Sequence, residues 1–323
     1  MFAVYCEKPN DAEPLQALEV GERPEPEVPE GWVRVRVTHA SLNRHDIFTL
    51  RGITGQDTPI PFPMILGNDA VGRLDDGTEV VLYPLITNAD RAGDETLDPG
   101  WHVLSEKVQG TFADYVVVPH RNALALPKGL PPLAASVLGT AWLTAYRMLC
   151  VKSGLRPGQA MLVQGTTGGV STALIQMGCA AGMEVWASSR SEEGRELARR
   201  LGACQVFAPG EVLPRRVEAV FDSVGTVTWE HSLASVRRGG TVITMGVTTG
   251  RMVQLDLLPV IVNQLTIKGS IMGTREEMLD LMNFVVRHGI APQIAQVLPM
   301  ERAREGFAAM CAGRLGGKIV LTR

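Results

Sequence analysis

The stretch AMLVQGTTGGV, residues 160–170, decides how the rest of the chain is read. Apolar residues run to Gln164 and stop at Gly165-Thr166-Thr167-Gly168-Gly169-Val170, after which STALIQMGCAAG carries helical periodicity. Strand, glycine turn and helix are the parts of a dinucleotide-binding βαβ unit. The glycines let the backbone turn tightly and approach a pyrophosphate, whose charge is held at the N-terminus of the following helix. A glycine turn alone is weak evidence. Here a second strand, MEVWASSR at 183–190, follows about 20 residues later, the spacing at which the adenosine ribose is read. These residues, Gly165 to Val170, are therefore expected to bind a dinucleotide.

The second strand also bears on which dinucleotide. An NAD site normally closes this strand with Asp or Glu, which holds the ribose hydroxyls. This strand closes Ala187-Ser188-Ser189-Arg190, and the next carboxylate is Glu192. Small hydroxyls leave room for a 2′-phosphate, and a guanidinium pairs with it bidentately. Arg195, about a helical turn on, is placed to assist. Ser188, Ser189, Arg190 and Arg195 are thus expected to select NADP(H) over NAD. The alternative is that the two arginines are solvated members of the charged helix SEEGRELARRLG.

Working outward, 323 residues with 45% hydrophobic content suit two domains with buried sheets. A net charge of −3 gives no electrostatic argument for nucleic acid or an anionic membrane. The start, MFAVYCEKPND, lacks the layout of a signal peptide, and no apolar run reaches the length of a membrane span. The five cysteines, at 6, 150, 179, 204 and 311, are far apart, as reduced thiols in a cytoplasm would be. A soluble cytoplasmic protein is expected, with no nucleic-acid or membrane partner.

Residues 1–125 read as β-rich and irregular, with WVRVRVTHASL, TEVVLYP and FADYVVVP as strands. Prolines and glycines between them fit a partly closed barrel, and the polar segment 86–102 reads as a long surface loop. From about 130 the pattern changes. PLAASVLGTAWLTAYRML reads as one helix, followed by strands at 160–164, 183–188, 218–222, 240–245 and 264–270. Helix-length segments between them predict a parallel doubly wound sheet. A helix at 276–289 and a strand at 317–323 follow, the strand returning to the first domain. The expected domains are 1–125 with 275–323, and 126–274.

On these residues the chain resembles the medium-chain dehydrogenase/reductase superfamily. The motifs are SLNRHD (41–46), ILGNDAVGRL (65–74), GTFADYVVVP (110–119), LGTAWLTAY (138–146) and the glycine loop. FDSVG (221–225), RRGGTVITMG (237–246) and LTIKGSIMGT (265–274) extend the match over both domains. The resemblance implies an α/β fold in which a GroES-like, partly open β-barrel substrate domain accompanies a Rossmann domain. Zinc-dependent members hold a catalytic zinc with Cys, His and Cys. The matching positions here are Asn43, Asn68 and Thr140, and the stretch matching the structural-zinc lobe, 84–109, has no cysteine. Amide and hydroxyl are poor zinc donors, so no metal site is expected. The chain is most similar to the zinc-free branch of quinone oxidoreductases and enone or thioester reductases, which carry Asn with Asp three residues later, as in Asn43-Arg44-His45-Asp46.

The resemblance implies NADPH-dependent reduction of a small-molecule quinone or α,β-unsaturated carbonyl. The enzyme then places the reactants and stabilises an oxyanion with fixed donors. The expected catalytic group is Asn43, His45, Asp46 and Thr140. His45 stands where zinc-dependent relatives carry a proton-relay hydroxyl, and its alternative is a barrel histidine bonded to backbone. Asp46 orients Asn43 or pairs with Arg44, while Arg44 alternatively reaches the cofactor pyrophosphate. Thr144 is expected against the nicotinamide, Gly225 and Gly246 along the cofactor, and Met272 and Gly273 near the carboxamide. Tyr83, Phe48 and Trp101 are candidates for the substrate wall, with a place in the core as their alternative, and specificity is expected in loops 48–62 and 84–108. Edge strand 264–272 is expected to pair in a homodimer, since an open apolar edge invites association. Two other readings stay open: a carbonyl or alcohol dehydrogenase, and a zeta-crystallin-like protein that binds NADPH with little turnover.

Overall fold

The computed structural model describes residues 1–55, 58–87, 93–313 and 315–323. Parts of the expected loops, at 56–57 and 88–92, lie outside the described residues. The described chain forms two compact units, Met1–Leu143 with Gly273–Arg323, and Thr144–Met272.

The first unit is built mainly of short strands. They are β1 (Phe2–Cys6), β2 (Leu18–Glu22), β3 (Trp32–Ser41), β4 (Met64–Ile65), β5 (Asp69–Leu74), β6 (Glu79–Leu82), β7 (Leu85–Ile86), β8 (His102–Val103), β9 (Tyr115–Pro119) and β10 (Ala123–Ala125). Helix α1 (Arg44–Leu50) leaves the end of β3. The expected helix from 132 is broken up. A short α2 (Pro132–Ala135) gives way to wide π turns at Leu138–Trp142 and Arg147–Lys152, which flank α3 (Leu143–Tyr146). The first of these turns packs closely at Gly139, where a Cβ would stand 2.7 Å from Asp69 Oδ1 and 3.3 Å from Leu82 O. The wide turn accommodates that close approach and brings Thr140 to Asp69.

The second unit is the parallel sheet. Its strands are β11 (Ala160–Gln164), β12 (Glu184–Ser188), β13 (Gln205–Phe207), β14 (Val217–Asp222), β15 (Val236–Thr244) and β16 (Thr266–Gly269). They lie in the order β13-β12-β11-β14-β15-β16, every pairing parallel. This is the strand order of the dinucleotide-binding fold. Every residue of β11 is buried, as a central strand covered on both faces requires. Leu162, Trp186, Phe207, Val220 and Val242 form its core. Helices α4 (Gly169–Ala180), α5 (Glu192–Arg200), α6 (Trp229–Ser235) and α7 (Leu257–Asn263) connect the strands. β13 is too short to show a period in the sequence.

The chain then returns to the first unit through α8 (Arg275–His288), β17 (Ile294–Pro299), α9 (Ala303–Ala312) and β18 (Lys318–Thr322). There β18 pairs antiparallel with β3 and parallel with β17, completing the sheet β10-β6-β5-β3-β18-β17. The return is pinned by Tyr83, which is fully buried and donates its hydroxyl to the Gly273 carbonyl at 2.9 Å and to Glu95 at 3.0 Å. Glu95 also pairs with Arg121 and accepts the Arg275 N–H at 2.6 Å. Tyr83 is therefore part of the framework, which corrects its expected place on a substrate wall.

Candidate active site and nucleotide site

In the first unit, four chain segments converge on one buried carboxylate. Asp69 opens β5 and is completely buried. Its Oδ2 accepts from Ser41 Oγ and Asn43 Nδ2, each at 2.9 Å, and its Oδ1 from Thr140 Oγ1 at 2.5 Å. Lys318, 4% exposed at the start of β18, lies 3.5 Å from Oδ2. The lysine ammonium also donates to Asn43 Oδ1 at 2.5 Å and to the Leu42 carbonyl at 2.6 Å. Burial pulls the lysine pKa down, against the raising influence of Asp69 and Asp46. Asn43 is spent inward: its amide hydrogens point to Asp69 and to the Ser41 carbonyl, and its oxygen to Lys318. The Thr140 hydroxyl likewise gives its proton to Asp69. Both expected carbonyl donors are thereby built into the scaffold.

Asp46 is buried in the first turn of α1 and accepts the Asn43 N–H at 2.7 Å and the Gly67 N–H at 2.9 Å. It thus orients the Asn43 backbone, and Arg44 is exposed. Burial raises its pKa to about 6, outweighing the two N–H donors and the nearby His45 and Lys318.

His45 stands apart from this knot. Its Nε2 lies 3.0 Å from Glu106 Oε1, and Glu106 Oε2 accepts the Val103 N–H at 3.1 Å. Burial pushes the Glu106 carboxyl up, but the His45 hydrogen bond and charge, with the Val103 N–H, hold it below the usual range. His45 Nδ1 is buried and has no partner among the described residues. Asn68, 1% exposed, donates to the Leu104 carbonyl and leaves its Oδ1 without a partner among the described residues. Glu106, Asp69 and Lys318 are the residues of this cluster that the sequence reading missed. A lone lysine opening the apolar strand GKIVLTR was the one signal for the last of them.

The positions matching the zinc ligands do not fit the metal. Asn43 offers an amide whose oxygen already accepts from Lys318, Thr140 a hydroxyl turned to Asp69, and Asn68 only a neutral amide oxygen, a poor zinc donor. Zinc selects thiolate, imidazole or carboxylate, and a fixed ammonium repels a second cation.

In the second unit, Gly165 follows β11 at φ 82°, and α4 begins four residues later at Gly169. Thr166 is 1% exposed with an unpartnered Oγ1, whereas Thr167, Gly168, Gly169 and Val170 are open to solvent or partly so. A helix N-terminus without a side-chain cap, fronted by glycines, offers free N–H groups to an anion. Gly225 and Gly246 allow two loops to press together. A Cβ on Gly225 would meet Gly250 O at 2.6 Å, and one on Gly246 would meet Ser223 O at 2.0 Å. Asp222 secures the first of these loops through the Val224 and Gly225 N–H groups at 2.9 and 3.0 Å.

At the end of β12, Ser188 is buried and donates to Gln164 Oε1 at 2.5 Å, so its proton faces the sheet. Ser189 is partly exposed and Arg190 exposed. A Cβ on Gly194 would lie 2.2 Å from Ser189 Oγ and 2.8 Å from Thr166 Oγ1, so both hydroxyls converge beside the first turn of α5. Arg195 is held there, donating to Ser189 O at 2.7 Å and Glu192 at 2.7 Å. Orphaned hydroxyl, glycine-framed space and cations together fit a dinucleotide phosphate. Thr144 and Met272 are buried at the two ends of this unit, Met272 with φ 46°, and Gly273 lies in the first unit.

Replacing Lys318 with Met strands the Asp69 carboxylate without its cation. The expected loss is about 3–5 kcal/mol of stability, read as a lower urea midpoint, with partial recovery when Asp69→Asn is added. For Asp46 the folded pKa of about 6 lies above the ordinary 3.8, so its contribution is full below 3.8 and lost as pH rises through about 6. Thermal melts from about pH 4 to about pH 7 are therefore expected to show wild type losing ground relative to Asp46→Asn. A constant difference across that range contradicts the assignment.

Comparison with known proteins agrees with this architecture. Residues 29–128 match the family description "Alcohol dehydrogenase GroES-like domain", and residues 169–287 match "Zinc-binding dehydrogenase". An alcohol dehydrogenase of Geobacillus stearothermophilus is 29% identical over 334 residues, covering 95% of this chain and 96% of that protein. A probable acrylyl-CoA reductase, AcuI, of Escherichia coli is 32% identical over 257 residues, covering 76% and 75%. Among solved structures, an NAD-dependent alcohol dehydrogenase superposes with a TM-score of 0.91 at 31% identity, over 100% of both chains. The chain has a nicotinamide-dinucleotide-binding fold and belongs to the medium-chain dehydrogenase/reductase superfamily of oxidoreductases.

Proposed function

We propose that the protein is an NADPH-dependent reductase of α,β-unsaturated carbonyl compounds or quinones that works without zinc. The observation that carries this reading is the knot of Lys318, Asp69, Asn43 and Thr140 at the positions of the family's catalytic metal. A site without a Lewis acid suits acceptors already polarised by conjugation, because their negative charge spreads into an enolate. The acrylyl-CoA reductase likeness is consistent with such an acceptor.

Bound NADPH would supply the hydride. In the second unit, the α4 N-terminus takes the pyrophosphate, while Ser189, Arg190 and Arg195, with Thr166 behind them, take the 2′-phosphate. In the first unit, Asp69 and Lys318 hold the floor of the site rigid, and His45 is the group that supplies a proton.

The protein also works as a homodimer. β16 is an outer strand, and Leu257, Leu258, Ile261 and Val262 of the neighbouring α7 are 61%, 66%, 68% and 52% exposed. Pairing this edge with a second copy covers both the open ladder and the apolar face. Sedimentation at micromolar concentration should give twice the single-chain mass; the mass of one chain would overturn the dimer.

A second reading, reversible alcohol oxidation, follows from the alcohol dehydrogenase likenesses. Consumption of NADPH and NADH with 1,4-benzoquinone and with an enone, in EDTA, separates the two. Reduction should survive the chelator and favour NADPH, and Arg190→Ala should cut that preference by about 10-fold or more, the worth of a charge-assisted phosphate contact. Loss of turnover in EDTA, with bound zinc by elemental analysis and alcohol oxidation in its place, favours the second reading. Tight NADPH binding with no acceptor turned over favours a binding protein.

A further inference from the structure

We propose that Glu106 is a positioning residue: it fixes His45 in the tautomer with hydrogen on Nε2 and so reserves Nδ1 as the group that protonates the reduced substrate. The inference rests on the reductase reading for its chemistry and on geometry for the dyad.

The other two expected donors of the first unit, Asn43 and Thr140, and the neighbouring Asn68 direct hydrogens to protein acceptors. Asn43 and Thr140 donate to Asp69, and Asn68 donates to Leu104 O. His45 differs because its partner sits on the far ring nitrogen, leaving Nδ1 buried and unpaired. A buried ring nitrogen without a partner carries an unmet desolvation cost of about 1–3 kcal/mol, the mark of a place where a ligand or water completes the bond. Asn68 Oδ1 is a second such atom, and its amide hangs on the same turn, Val103 to Glu106.

That turn is held under strain. Ser105 is fully buried at φ 69°, a left-handed conformation that costs a non-glycine residue about 1–2 kcal/mol. Its carbonyl accepts from Thr49 Oγ1 at 3.3 Å, and its N–H bonds Val108 O at 3.0 Å. Thr49 lies one helical turn after His45 on α1, so one helix carries both the imidazole and a group that holds the turn presenting its carboxylate.

The charges around the ring are Glu106 against Nε2 and Asp46 beside it on α1, with His102 acting on Glu106 and Lys318 acting on Asp46. Glu106 is 5% exposed, and its second oxygen is committed to the Val103 N–H, so the carboxylate cannot rotate away. In the doubly protonated ring, Nε2–H stays on Glu106 while Nδ1–H breaks. That proton forms the C–H bond at the α-carbon of the enolate left by hydride addition at the β-carbon. The ring is left neutral with its hydrogen on Nε2, and solvent returns a proton to Nδ1. Charge and atoms balance with no further reactant.

Glu106→Gln tests this with little change of shape. If the new amide oxygen keeps the Val103 N–H, its NH2 faces His45 Nε2 and forces the proton to Nδ1. Imidazole 15N spectra, with the His45 signals identified by their loss in His45→Gln, should show Nε2–H in wild type and Nδ1–H in Glu106→Gln. With an enone, Glu106→Gln should lower kcat about 10-fold or more with KM within about twofold, and should move the alkaline limb of kcat/KM to lower pH. Glu106→Asp, which restores the charge, should recover part of kcat.

A wild-type ring protonated on Nδ1 with Nε2 bare overturns the proposal, as does a Glu106→Gln enzyme with unchanged kcat and pH profile. Failure of the reductase reading looks different: wild type then consumes no acceptor. In that event Nε2–H in wild type still upholds the geometric half, and the proton-donor half falls.

Discussion

The buried pair of Lys318 and Asp69 is the constraint on which the first unit depends. Two charges inside a barrel wall are costly unless each is surrounded by partners. Here the ammonium meets Leu42 O, Asn43 Oδ1 and Asp69, and the carboxylate meets Ser41, Asn43 and Thr140. Those partners come from the end of β3, the turn before α1, the π turn at 138–142 and the opening of β18. Satisfying one ion pair therefore fixes four segments at once. The same arrangement explains why residue 139 is glycine, since a Cβ on this backbone would strike Asp69.

This knot also sets the chemistry. In a metal-bearing relative the corresponding positions would present ligands. Here Asn43 and Thr140 are closed on Asp69 and Lys318, while Asn68 keeps only an amide oxygen open. In the proposed reaction the proton comes instead from His45, held by the turn that carries Glu106. A strained backbone at Ser105, a carboxylate held low by its histidine and an unpaired ring nitrogen occur together there. Fixed donors of this kind lower a barrier because they need no reorganisation when charge develops.

The second unit works by a different economy. Its sheet needs only buried apolar strands and glycines at two close approaches, and Asp222 ties the loop between them with backbone N–H groups. The β12 terminus shows how one residue shifts the meaning of its neighbour. Ser188 turns inward to Gln164, which leaves Ser189, Arg190 and the α5 turn as the outward-facing chemistry. Both serines were readable as small hydroxyls. Their opposite orientations follow from the alternation along a strand, applied at its last residue.

What the sequence determined by itself is what depends on neighbours along the chain. The run at 160–164, the glycines after it and the strand ending Ser-Ser-Arg specify a nucleotide-binding sheet, because strand and helix periods and left-handed glycines are local properties. The expected strand at 264–270 is shorter in the structure, Thr266–Gly269, because Gln264 ends α7 in a left-handed conformation, and the expected helix at 132–149 is interrupted by π turns. Tertiary structure alone decided the site in the first unit. Lys318 and Asp69 are 249 residues apart and His45 and Glu106 are 61 apart, so no local pattern announces either pair. Only the folded barrel, by removing water from around them, obliges each charge to find its partner.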